Sequence, residues 1–463
     1  MRPYKVLVVD DSAFMRKIIS DLIENEPNFK VTATAANGRE AIEKVNEFHP
    51  DLVTMDVEMP EMNGLEALKV IMAEHPLPVI MLSGINEEGM RETIIALESG
   101  AFDFIRKPSI SNSQDITAVG IALREQMKGA MLAREQREAR ISSNNADVKV
   151  SDTASPPAAS PTVVPEPTVR KPVQPKKATE APVKPAGNQA KPAGRQSNKL
   201  PDKTSAGNGT TRNLSQPSAA PPKPAAPEKL QTRGKKESAP AIPESRSIPE
   251  SPSVSLNEPP VTGTDRKLGT KGLRKLVAVG CSTGGPRALK TFLENIPADF
   301  PAPIVIVQHM PPNFTKSLAQ RLNTFSPLEV SEAEHGMILR PGAAYIAPGG
   351  FHLKVVPASG GQYAIELTNE EARNGHRPSV DTMFESLLPL TALERHAVIM
   401  TGMGSDGAKM MKALYDTGVS STFAESEETC VVYGMPRSAV ELKCVKYVLP
   451  LQEIAPRLVQ NVK

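Results

Sequence analysis

The 463-residue chain has no tryptophan, only 4% aromatic residues and three cysteines. Cys281, Cys430 and Cys444 are odd in number and lack metal-ligand spacing, which fits a reduced, cytoplasmic protein better than a disulfide framework. No apolar run is long enough to cross a bilayer, so no membrane insertion is expected. The first such run, KVLVV, ends in two aspartates and reads as a buried strand, not a secretory leader. Strong net charge is lacking too, at +2 overall, but the distribution is uneven. Between Ile141 and Gly272, 20 Lys and Arg face 11 Asp and Glu, and the same segment holds 22 of the 44 prolines and no aromatic residue. Such a composition cannot bury enough apolar surface to offset its chain entropy, which predicts a disordered linker. As a flexible coil its ends would average roughly 60–70 Å apart. Without aromatic platforms for base stacking, no specific nucleic-acid partner is expected of it.

On either side of this segment, apolar runs alternate with amphipathic stretches. In the N-terminal part KVLVV, VTATA, DLVTM, PVIML and AFDFI are each followed by a helical pattern, which predicts a doubly wound parallel sheet. Functional residues should gather at the carboxyl ends of its strands. Asp10 and Asp11 end the first strand, Asp56 the third and Ser83 the fourth, and Lys107 with Pro108 follows the fifth. Three carboxylates in one crevice repel one another unless a cation sits among them, and a hard divalent ion is the natural candidate. The set suggests a phosphoryl acceptor, although Asp10 and Asp11 could also simply end a strand and cap the next helix.

The C-terminal part repeats the rhythm with LRKLVAVG, APIVIVQHM, AAYIAPGG and ERHAVIMTGMG. Gly280-Cys281-Ser282-Thr283-Gly284-Gly285 lies where the first of these strands turns into a helix. The spacing fits a nucleophile elbow, yet a glycine-rich turn of this kind can equally cradle a phosphate, and a serine there can serve only as a cap. Ser282 needs a base and an acid to orient that base. Of seven histidines, His309 alone clearly ends a strand on the same sheet edge, after IVIVQ. Asp406, just past HAVIM, supplies a carboxylate there. The chain order Ser…His…Asp differs from that of α/β-hydrolases. The Thr283 amide and the glycine-flanked Met403 amide are candidate oxyanion donors.

Over residues 4–125 the motifs VVDDSAFMR, MDVEMPEMNGLEAL, MLSG and FDFIRKPS resemble the receiver domains of two-component response regulators. That resemblance implies phosphorylation at Asp56 and Mg²⁺ held by Asp11, Asp56 and the backbone carbonyl of Glu58 with support from Asp10. It further implies Ser83 and Lys107 as switch residues and a cis Lys107–Pro108 bond. Over residues 270–463, VGCSTGGP, VIVQHMPPNFT, YIAPGGFHL, RPSVDTMFESL, MTGMGSDGA and CVVYGMPRSAV resemble the catalytic domain of the chemotaxis protein-glutamate methylesterases, the CheB family. The implied fold is α/β, two doubly wound parallel-sheet domains joined by a linker over residues 126–269 that starts helical to about residue 140. The implied activity is hydrolysis of glutamate γ-methyl esters on methyl-accepting chemoreceptors, with deamidation of receptor glutamines. Ser282, His309 and Asp406 would be the triad and Thr283 and Met403 the oxyanion hole, with no cofactor for the ester chemistry. A chemotaxis histidine kinase would be the phosphoryl donor and the protein a monomer. Cys281 replaces the alanine expected of the family, and a catalytic cysteine there is the sharper alternative. An esterase serving another signalling partner, or a noncatalytic binding module, are the rival functions. The family's receiver covers the esterase cleft until phosphorylated, and so long a linker is expected to weaken that inhibition.

Overall fold

The computed structural model describes residues 2–84, 86–109, 112–151 and 272–463. Residues 152–271 of the stretch read as a disordered linker lie outside the described residues, and its first part, to Ser151, is helical instead. In the N-terminal part, strands β1 (Tyr4–Val9), β2 (Phe29–Ala35), β3 (Leu52–Asp56), β4 (Val79–Ser83) and β5 (Asp103–Arg106) alternate with helices. These are α1 (Ala13–Glu24), α2 (Gly38–Phe48), α3 (Gly64–Glu74), α4 (Glu87–Glu98) and α5 (Ser113–Ser151). The sheet order is β2-β1-β3-β4-β5, every pairing parallel. Central strands β3 and β4 are buried throughout, as their apolar runs require once helices cover both faces. Asn37, Asn63 and Asn86 each cap the helix that follows by accepting from a first-turn N–H.

The C-terminal part contains a seven-stranded sheet, order β14-β13-β12-β6-β7-β9-β8, again parallel throughout. Its strands are β6 (Lys275–Cys281), β7 (Ile304–Gln308), β8 (Glu329–Glu332), β9 (Ala343–Ile346), β12 (Glu394–Ile399), β13 (Ser421–Glu425) and β14 (Tyr447–Leu449). Helices α6 (Gly285–Glu294), α7 (Phe314–Asn323), α8 (Val380–Ser386), α9 (Ala408–Asp416), α10 (Met435–Glu441) and α11 (Leu451–Val462) flank it. Strand β6 has β7 on one side and β12 on the other, so the order reverses there and opens a crevice at its carboxyl end. Ser282 follows β6, His309 follows β7, and Asp406 lies in the loop after β12.

Three features differ from the sequence expectations. Helix α5 continues to Ser151 instead of ending near residue 140, because no proline or glycine interrupts residues 130–151. An antiparallel hairpin, β10 (His352–Pro357) with β11 (Tyr363–Thr368), stands apart from the main sheet. The Lys107–Pro108 bond is trans, the isomer intrinsically favoured even before proline; among the described residues only Arg377–Pro378 is cis.

The two parts pack against each other. Phe104 of β5 meets Phe314 of α7 with ring centroids 4.6 Å apart. Arg321 of α7 pairs with Glu98 of α4 at 2.9 Å.

Candidate active site and phosphoryl-acceptor site

The nucleophile turn is tied down on every side. Ser282 donates its N–H to the Thr401 carbonyl, and its own carbonyl accepts from the Gly285 N–H at 2.7 Å, closing the turn into α6. Gly284 sits at φ +79, a conformation that favours glycine. The buried Gln308 side chain donates to the carbonyls of both Ser282 (3.0 Å) and His309 (3.1 Å), so one amide links the nucleophile strand to the base strand. Its carbonyl oxygen accepts from the Cys281 thiol at 3.1 Å. A Cβ on Gly285 would lie 1.8 Å from that oxygen, which leaves glycine as the residue that fits.

Strand register sets nucleophile and base side by side. Cys281 pairs with Gln308, and the His309 N–H donates to the Cys281 carbonyl. His309 Nε2 lies 2.8 Å from Asp406 Oδ2, while Nδ1 is buried with no protein partner. An ionised carboxylate only accepts, so Nε2 carries the proton and Nδ1 is left as a basic lone pair. The two ring nitrogens thus have the reverse of the roles they take in chymotrypsin-type triads.

Asp406 is held by more than histidine. Its Oδ1 accepts from Asn374 Nδ2 (2.7 Å), Ser379 Oγ (2.9 Å) and the Asp381 N–H (3.2 Å), and its Oδ2 accepts from the Val380 N–H (2.7 Å). Burial pushes its pKa up, but the His309 hydrogen bond and charge, the Asn374 amide and the Val380 N–H outweigh burial and hold it well below the usual carboxylate range. Asp381 in turn accepts from the Gly407 and Met410 N–H groups, which fixes the start of α9. The His376 ring stacks on His309 with centroids 3.7 Å apart and planes 8° from parallel. Burial, then the neighbouring His309, lowers the His376 pKa to about 4, so it is neutral near pH 7.

His309 and Asp406 are thus joined directly, while Ser282 stands at the end of the neighbouring strand β6, with no hydrogen bond between its hydroxyl and the His309 ring. Gly402, whose added Cβ would lie 2.9 Å from Ser282 Cβ, brings the Met403 peptide beside the nucleophile. Thr283 is buried, and its hydroxyl donates to Asp103 Oδ2 of β5 at 2.5 Å. Burial drives the Cys281 thiol pKa upward, with the Glu425 charge adding to it, which keeps the sulfur protonated. Gln308, Asn374, Ser379 and His376 escape sequence reasoning. Three of them lie in the stretch NGHRPSVD, whose Asn, His and Ser beside a proline were the available signal.

In the N-terminal crevice, carboxylate oxygens of Asp10, Asp11 and Asp56 lie within 4.8 Å of one another. Lys107 Nζ reaches Asp10 at 2.9 Å and Asp56 at 2.6 Å. Burial raises the Asp56 pKa to about 6, against the pull of Lys107. Three hard oxygen donors facing one ammonium suit Mg²⁺. Ser83 is turned elsewhere, since its hydroxyl donates to the Gly84 carbonyl and accepts from Thr93.

Fold and sites define a two-module α/β protein, one sheet carrying an acidic crevice with a lysine and the other carrying serine, histidine and aspartate at its strand ends. The C-terminal part matches the CheB methylesterase family model over residues 277–458, and the N-terminal part matches the response regulator receiver domain model over residues 6–119. A protein-glutamate methylesterase/protein-glutamine glutaminase of Halalkalibacterium halodurans is 38% identical across 99% of this chain and 98% of its own length. That of Bacillus subtilis is 36% identical across 99% and 98%. The crystal structure of the Thermotoga maritima CheB methylesterase catalytic domain is 45% identical, covering 40% of this chain and 98% of that one, with a TM-score of 0.39. The chain belongs to the protein-glutamate methylesterase/protein-glutamine glutaminase family, CheB, and is an enzyme of that class. No helix among the described residues is long and apolar enough to cross a membrane.

Proposed function

We propose that the protein is a cytoplasmic, phosphorylation-activated esterase that removes γ-methyl esters from glutamates of methyl-accepting chemoreceptors. The observation that carries the reading is the His309 ring, tethered to Asp406 through Nε2 with Nδ1 left unpartnered at the strand end beside Ser282. In this reading Ser282 Oγ attacks the ester carbonyl as its proton passes to His309 Nδ1. The resulting oxyanion is met by the Thr283 and Met403 amides. Collapse breaks the carbon–oxygen bond to the methoxy group, which takes the proton from Nδ1 and leaves as methanol. Water then gives its proton to the same nitrogen and attacks the acyl-serine; as the acyl–Oγ bond breaks, Nδ1 returns that proton to Ser282, and the glutamic acid released ionises to its carboxylate. A receptor glutamine follows the same course with ammonia as the leaving group.

The working division is a receiver over residues 4–125, a connector over 126–269 and an esterase over 270–463. A chemotaxis histidine kinase is the proposed donor to Asp56, and the protein acts as a monomer. Asp10, Asp11, Asp56 and the Glu58 carbonyl would hold Mg²⁺, whose charge offsets that of the incoming phosphoryl group. Lys107 already bridges Asp10 and Asp56 and is placed to contact that group, and Ser83 would have to turn toward it. The Asp103–Thr283 bond beside the nucleophile supports a receiver that covers the cleft before phosphorylation. Methanol release from methylated receptor membranes, with acetyl phosphate present, tests the reading. Ser282→Ala should abolish release, and retained release in that variant rejects it.

A further inference from the structure

Helix α5 is long because it does two things. Its first half packs on the receiver core through Val119, Leu123 and Met127. Past Met127 one face turns to the esterase, with Gly129, Leu132, Ala133 and Gln136 forming one wall of a groove. These positions recur at helical spacing along a single face. The opposite wall is esterase surface, chiefly Met403, Val432, Tyr433 and Arg437. Val432, only 8% exposed, belongs to the same apolar cluster as Met127, Ala130 and Met131. Further along, the Arg140 guanidinium donates to the Glu427 carbonyl.

The contact begins at the catalytic centre. A Cβ on Gly129 would come 2.5 Å from Met403 Sδ, so the helix backbone lies close against the flexible side chain of the proposed oxyanion residue, which has room to give for a methyl group but not for a larger one. A helix is thus laid against the rim of the acyl-transfer site, small residues inward at i and i+4. A side-chain ester on a helical substrate must arrive in the same way, its helix beside Met403 and its own side chain directed to Ser282.

We propose that the esterase surface from Met403 to Arg437 is the docking site for the substrate helix and that α5 covers it as a built-in mimic. This deepens the esterase reading above and rests on it. The fitting partner is an α-helix bearing a glutamate γ-methyl ester, with Gly, Ala or Ser on the face laid against Met403 and spaced four residues apart. Esterase activation then requires withdrawal of α5 as well as movement of β5.

The test uses the full chain and methylated receptor membranes. Without acetyl phosphate, Gly129→Leu and, separately, Leu132→Glu should raise methanol release at least threefold by dislodging α5, while Gly129→Ala stays within twofold. Leu132 is 54% exposed and glutamate is a good helix former, so that second variant is expected to fold. With acetyl phosphate, Tyr433→Ala should raise KM for the receptor at least threefold and leave kcat within twofold. Unchanged activity in both α5 variants, or an unchanged KM in Tyr433→Ala, overturns the proposal. Ser282→Ala is run beside them: its loss of activity upholds the esterase reading whichever way the groove variants fall, and retained activity rejects that reading and the groove with it.

Discussion

Thr283 Oγ1 donates a hydrogen bond to Asp103 Oδ2 at 2.5 Å, joining the residue next to the nucleophile to a receiver strand whose far end leads into Lys107. Lys107 in turn bridges Asp10 and Asp56. Only three residues of chain, Phe104 to Arg106, therefore lie between the residue that meets Thr283 and the lysine of the acidic crevice.

Burial raises the Asp103 pKa to about 6, opposed by the Thr283 hydroxyl, the Phe104 N–H and the His309 charge. A free carboxylate titrates near about 3.9. The seated state therefore holds the proton more tightly, and the stability it gains is full below about pH 4 and lost as pH rises through about 6. Asparagine mimics the protonated form. The rates of unphosphorylated wild type and Asp103→Asn should converge as pH falls toward about 4, and wild type should become the more active by pH 7.5. A pH-independent ratio of the two rates contradicts this.

Neutral His376 holds the plane of the His309 ring by stacking on it. His376→Ala is expected to lower kcat about tenfold, the equivalent of about 1.4 kcal/mol, with KM unchanged. His376→Phe should restore most of the rate by keeping a flat partner. Failure of phenylalanine to rescue rules out a stacking role.

Asn374→Ala removes one charge-assisted hydrogen bond from Asp406, an interaction worth about 1.5–3 kcal/mol. A fall in kcat of tenfold or more is expected, smaller than the roughly 10⁴-fold loss for Asp406→Asn by analogy with other triads. Steady-state kinetics on the two variants checks the order.

Cys281 is a buried thiol kept protonated, and its hydrogen bond to Gln308 is dispensable beside the two that Gln308 donates. Cys281→Ala should keep activity within about threefold, whereas Gln308→Ala frees two carbonyls and should lower kcat at least tenfold.

Chelating Mg²⁺ should abolish the stimulation by acetyl phosphate and leave basal hydrolysis unaltered, since no esterase group depends on a metal in this account. Asp56→Asn should behave alike. A basal rate that falls with EDTA contradicts the separation of the two sites.

Both sheets are legible in the sequence because parallel strands covered on two faces must be apolar runs. DLVTM and PVIML, and IVIVQ in the esterase, are buried as read. The β10–β11 hairpin is not, since HLKVVP and YAIELT are only partly buried and lie off the main sheet. Ser282, His309 and Asp406 can be found because strand ends on one edge converge. Asn374, His376 and Ser379 reach Asp406 and His309 through a loop between β11 and α8 that carries no periodic signal. The contacts of Asp103 with Thr283 and of Gly129 with Met403 depend on how two modules pack, which neither module's pattern encodes.

Trapping the acyl-enzyme tests the central claim most directly. Activated enzyme is quenched during turnover of a peptide carrying a glutamate γ-methyl ester, digested, and the fragment spanning residues 275–287 is sequenced by mass spectrometry. The account predicts the peptide's glutamyl group in ester linkage to Ser282 and unmodified Cys281. An adduct on Cys281, or methanol release in the burst with no adduct on Ser282, would contradict it.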